Sequence, residues 1–106
     1  MSRNYEVQVE VFPCTAAGSA AVTTVLGQWG MTTTGDTASF DDNYPEGWAF
    51  WGSIALTGGQ TEEDRHEELR KLLPGHHIIS RWRWVDDLPW DEEFFSDPPT
   101  SVSPAA

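Results

Sequence analysis

Residues 5 to 12 read Tyr-Glu-Val-Gln-Val-Glu-Val-Phe, and this alternation constrains the fold more than any other stretch of the chain. Successive side chains of a strand point to opposite faces. Val7, Val9 and Val11 therefore share one side, and Glu6, Gln8 and Glu10 share the other. A strand with one dry and one wet face belongs to a sheet that is covered on one side only. The rest of the chain must supply the cover, and Pro13 ends the strand.

Two segments have the pattern to provide it. Thr15 offers an N-cap for a helix reaching Trp29 or Gly30. In that helix Ala17, Ala21, Val25 and Trp29 recur at i, i+4, and Val22 and Leu26 widen the stripe. Its outer positions Ser19, Ala20, Thr23, Thr24 and Gln28 carry no charge, which points to contact with another chain. Thr61 caps a second, charged helix through Leu73. Leu69, Leu72 and Leu73 make its buried stripe, Arg70 and Lys71 suit its C-terminal dipole, and Pro74–Gly75 stops it.

Three further strands are expected. Met31 to Phe40 reads as a strand kinked at Gly35–Asp36, followed by a loop from Asp41 to Gly47. In the next strand Trp48, Phe50, Ile54 and Leu56 share one face, with Ala49, Trp51, Ser53 and Ala55 on the other. The last runs from His77 to Val85, with Ile78, Trp82 and Trp84 opposed to Ile79, Arg81, Arg83 and Val85.

The order is β-α-β-β-α-β, which predicts an α+β domain of the ferredoxin-like type. Its four-stranded antiparallel sheet would carry both helices on one face. First and last strands become neighbours, bringing Glu6 and Glu10 opposite Arg81 and Arg83, at about 0.2–1 kcal/mol for each cross-strand pair. Residues 1–97 form a single domain in this reading. Its acidic-aromatic end, 86–97, folds back across the sheet, and the Pro/Ser/Ala-rich residues 98–106 are a disordered tail.

Reactive chemistry is sparsely represented. Cys14 has no second cysteine to pair with, and no basic-then-apolar leader opens the chain, so a cytoplasmic location is the default expectation. His66, His76 and His77 lack metal-ligand spacing, and His76–His77 are expected in solvent at a strand entrance. Neither a phosphate-cradling glycine loop nor a nucleophile–base motif is legible, so no catalytic residue, metal or cofactor is assigned.

Charge is the distinctive property. The chain has 17 acids against 6 bases, a net of −11. Between Arg3 and Arg65 stand nine acids and no base, and after Arg83 six acids and no base. Such a chain repels bare nucleic acid and anionic membranes. With Glu6 and Glu10 paired, the remaining acids gather in the 36–46 region (Asp36, Asp41, Asp42, Glu46), at the start of the second helix (Glu62, Glu63, Asp64) and in the last segment. That segment interleaves Asp86, Asp87, Asp91, Glu92 and Glu93 with Trp90 and other apolar residues. Acids two residues apart on a strand stand about 7 Å apart, near the phosphate spacing of a nucleic-acid strand.

These residues point to a non-enzymatic protein that binds a basic surface of a larger protein, such as a nucleic-acid-binding groove, and inhibits or regulates it. In size, charge and fold class the chain resembles the inhibitors that phages and mobile elements direct against nucleic-acid-targeting defence, anti-CRISPR proteins among them. The alternative is a small dimeric enzyme or ligand-binding module using the open sheet face, where Trp51, His77, Arg81 and Arg83 would stand.

Overall fold

The computed structural model describes residues 2–41, 44–84 and 92–96. Strand β1 (Ser2–Phe12) leads through a 3-10 turn (Ala16–Gly18) into helix α1 (Ser19–Trp29). Strands β2 (Thr32–Asp41) and β3 (Tyr44–Thr57), helix α2 (Glu62–Leu72) and strands β4 (His77–Trp84) and β5 (Glu92–Ser96) follow. The sheet order is β2-β3-β1-β4-β5, antiparallel at every step. The four expected strands make an α+β sheet with two helices, and β5 adds a fifth at the β4 edge.

The alternation in β1 does what it implies. Val7, Val9 and Val11 are buried and face Trp82, Ser80 and Ile78 on β4, while Val9 lies opposite Phe50 on β3. Val22, Leu26 and Trp29 from α1 and Leu69 and Leu73 from α2 complete one core with them. Both helices therefore cover the valine face, and Glu6, Gln8, Trp51 and Arg81 are left on the other. Phe12, Ala49 and Ile79 are buried outside this core, at the end of that other face nearest β4's start.

The caps follow the sequence. Thr15 Oγ1 accepts from Gly18 N–H and Thr61 Oγ1 from Asp64 N–H, both in extended backbone that frees the side chain to cap. Gly30 closes α1 at φ 114°, a left-handed conformation that glycine adopts without strain, and Met31 N–H reaches back to Leu26 C=O at 2.9 Å.

Several expectations are corrected. The buried stripe of α1 is Val22, Leu26 and Trp29; Ala17 and Ala21 are exposed, because the larger side chains turn the helix toward the sheet. On α2, His66 takes the core position expected of Leu72, which is 44% exposed. His66, Leu69 and Leu73 are the residues that recur on one face at i, i+3, i+7. The loop expected at 41–47 is largely strand, since the ladder continues through Ser39↔Gly47 to Asp41↔Tyr44. Pro45 fits there because β1 stops pairing at Val11↔Trp48, leaving β3 a single neighbour.

His77 is buried beside Phe12 and not in solvent, with ring centroids 6.3 Å apart. Glu6 does stand opposite Arg83 and pairs with it, but Glu10 lies opposite Ile79 and accepts from Gln8 Nε2 at 3.1 Å. The described part of the last segment, residues 92–96, does not cross the open face. It returns beside β4 as an edge strand, and Phe95 packs at the core side near His66. Residues 98–106 lie outside the described part.

Two side-chain locks hold the helices. Trp29 Nε1 donates to Arg65 C=O at 2.9 Å, while Arg65 donates back to Trp29 C=O and lies over the indole, 5.4 Å from its centre. This places a cation at the C-terminus of α1, where the helix dipole favours one. In the core, Ser80 Oγ accepts from Trp82 Nε1 and contacts His66 Nδ1, both at 2.8 Å.

Candidate functional site

Of the described acids singled out by charge, most stand at two ends of the sheet, and Asp36 lies between them, opposite Phe50. Glu46 is exposed on β3 at the end marked by Val11 and Trp48, with Asp41 at the end of β2 beside it. Asp36 is exposed farther along β2, where its Oδ2 accepts from Trp48 Nε1 at 2.7 Å. At the opposite end Glu62, Glu63 and Asp64 form the first turn of α2, and Glu62 accepts from the hydroxyl of Tyr5 at 2.6 Å. Glu92 and Glu93 belong to β5, opposite Arg83 and Trp82. Tyr5 and Val11 are six residues apart, so about 20 Å of strand separates the two ends. Asp42, Asp86, Asp87, Trp90 and Asp91 lie outside the described residues.

Among the described residues, ion pairs join Arg65 to Glu68 at 3.0 Å, Arg70 to Glu67 at 3.1 Å and Arg83 to Glu6. None of these pairs uses an acid from the two groups. Among the described residues Asp36, Glu46, Glu63 and Asp64 have no ionic partner. Glu63 and Asp64 gain from the α2 N-terminus, which favours negative charge by about 0.3–1 kcal/mol each. Helix dipole stabilisation accounts for their position but leaves their charge facing solvent.

The open face carries a second feature. A shallow cleft of about 490 Å³ is lined by Glu6, Gln8, Thr34, Trp51, Arg81 and Arg83 among others. Trp51, 40% exposed, lies across Gly35, where a Cβ would come within 2.4 Å of its ring. Thr34 is the extra residue of a bulge between Thr33 and Gly35 and donates to Trp51 C=O at 3.3 Å. Trp51, Arg81 and Arg83 were expected on this face from alternation. His77 was expected too but is buried at the far end. The roles of Thr34 and Gln8 were not foreseen; Gly35 within the threonine run was the available signal.

Reactive groups fare differently. Ser80 and His66 are in contact, yet Ser80 is fully buried and its hydroxyl is engaged by Trp82, so no substrate reaches it. Cys14 is buried against the α1 start; its thiol pKa is raised by burial first and by the Glu46 charge second, which keeps it protonated and unreactive. Among the described residues no cluster of three or more His, Cys, Asp or Glu is placed to hold a metal, and no helix is long and apolar enough to cross a membrane.

Compared with known families, curated proteins and solved structures, the chain matches none.

Proposed function

We propose that this protein is a non-enzymatic acidic binding protein that docks on a basic surface of a larger protein, a nucleic-acid-binding groove, and blocks or regulates that surface. The observation that carries the reading is the set of uncompensated acids. The bases of the described ion pairs are engaged by Glu6, Glu67 and Glu68, while Asp36, Glu46, Glu63 and Asp64 are exposed with no ionic partner among the described residues. Two acidic ends separated by about 20 Å of strand suit a partner whose cations follow a nucleic-acid backbone.

The scaffold itself we read as ferredoxin-like. The order β2-β3-β1-β4 with antiparallel neighbours supports this, and β5 is an addition at one edge. An inhibitor directed against nucleic-acid-targeting defence, of the anti-CRISPR kind, is the setting that small size and net charge support.

Affinity capture with elution by duplex DNA tests the reading. The immobilised chain should retain a nucleic-acid-binding protein that duplex DNA displaces and that salt releases. Retained proteins that resist both would count against it.

A further inference from the structure

We propose that the open-face cleft binds a small planar aromatic anion of nucleotide size. This site is separate from the acidic surface and does not depend on it. Its volume of about 490 Å³ falls within the range of small-molecule sites. Its two ends differ in chemistry. One is the indole of Trp51, half-exposed and held across Gly35, a stacking surface that a planar ring can cover. The other is Arg81 with Arg83, two of the chain's six bases brought side by side on one strand face.

Gln8 lies between them, paired with Trp51 on one side and Arg81 on the other. Trp51 and Arg81 are thus two strand spacings apart, about 10 Å. A ring stacked on Trp51 with an anionic group that distance away meets a guanidinium, whose planar fork suits carboxylate or phosphate. Glu6 holds Arg83 at the rim, and its own charge disfavours a polyanion. A singly substituted ligand, a carboxylate or a monophosphate, is therefore preferred over a triphosphate. The bulge at Thr34 bends β2 beside Trp51 and gives the cleft its wall, a common use of bulges near binding sites.

A second copy of the chain is the weaker occupant. Ala49 and Ile79 are buried on this face, so the open area is centred on the rows of Asn4, Glu6 and Gln8. Five strands by six residues present at most about 500 Å², below the roughly 800 Å² each partner contributes to a stable interface.

Titration of the intact chain with AMP and with indole-3-acetate, followed by the indole N–H resonances, tests the proposal. Saturable binding with Kd of about 0.1–1 mM is expected for at least one of them. Adenosine and ribose 5-phosphate, each lacking one half of the AMP pattern, should bind about tenfold more weakly than AMP where AMP binds. Trp51→Ala and Arg81→Gln should each weaken binding about tenfold with the thermal midpoint unchanged. Gly35→Ala, which displaces the Trp51 ring, should do the same, and Arg81→Lys should recover part of the loss. Three results would overturn the proposal. These are no saturable response to either probe at about 10 mM, folded variants that bind as well as the parent, and a dimer in sedimentation that Arg81→Gln dissociates.

Discussion

Replacing Ser80 by Ala probes the polar centre of the core. Ser80 is fully buried, and its one oxygen serves two neighbours at 2.8 Å. Trp82 Nε1–H has only a proton to give, so the Ser80 hydroxyl accepts from it and makes its second hydrogen bond with His66 Nδ1. Trp82 is 1% and His66 3% exposed, so water does not replace the lost oxygen. Leaving a buried donor or acceptor unsatisfied costs about 1–3 kcal/mol. Two such groups, with some relaxation around the small void, give a loss of about 2–4 kcal/mol. A domain of this size has about 5–15 kcal/mol in all, so the change takes a large share. Urea unfolding followed by tryptophan fluorescence should show a lower midpoint at unchanged slope. The double variant Ser80→Ala/Trp82→Phe should lose less than the two single losses added, because the orphaned donor is gone. A loss below about 0.5 kcal/mol for Ser80→Ala, the size of an ordinary surface change, would refute the reasoning.

Other outcomes follow from particular contacts. Gly52→Ala should cost about 3 kcal/mol or more, since the added Cβ would stand 2.0 Å from the backbone oxygen of Thr32, which cannot swing aside; a chemical-denaturation curve matching the parent would contradict this. Arg65→Ala should cost about 1–3 kcal/mol through loss of its stacking on Trp29 and its bond to the α1 end, and Arg65→Lys, which cannot reproduce the fork, should recover only part. Because the folded Cys14 thiol has a raised pKa, the folded state holds that proton longer than the unfolded state does. Its contribution to stability is full below the ordinary thiol pKa and is lost as pH rises through the raised one. Alkylation of the folded chain by iodoacetamide should be slower than that of a free thiol peptide, and Glu46→Gln should speed it; equal rates in all three would show the shift to be absent.

Much of the scaffold was legible because it rests on local periodicity. The valines of β1, the caps at Thr15 and Thr61, the glycine stop at Gly30 and the sides of β3 and β4 all follow from side-chain alternation or capping chemistry. The misreadings have a common cause, since each needed a contact distant in sequence. His66 enters the α2 stripe because Ser80 waits for it across the core. Residues 44–47 become strand because β2 pairs with them, despite their turn-forming composition. Glu10 lies opposite Ile79 because Glu6 and Glu10 are four residues apart and Arg81 and Arg83 only two, so a register that pairs Glu6 with Arg83 puts Gln8 opposite Arg81. The acids were visible as composition, but their division between two ends depends on the whole sheet order. The cleft depends on a bulge at Thr34, beside the kink expected at Gly35–Asp36, but what that kink builds depends on the pairing with Trp51 across the sheet.

The central claim is that the uncompensated acids drive association with a basic surface. The most direct measurement is the salt dependence of the association rate for a protein captured by the chain. It compares the parent with a variant carrying Asp36→Asn, Glu46→Gln, Glu63→Gln and Asp64→Asn. Screening lengths fall from about 10 Å at 0.1 M salt to about 3 Å at 1 M. The account predicts that the variant associates about tenfold more slowly at low salt, with a flattened salt slope and a preserved thermal midpoint. Parent and variant should converge at high salt. A variant that keeps the parent's rate and slope across that range would contradict it.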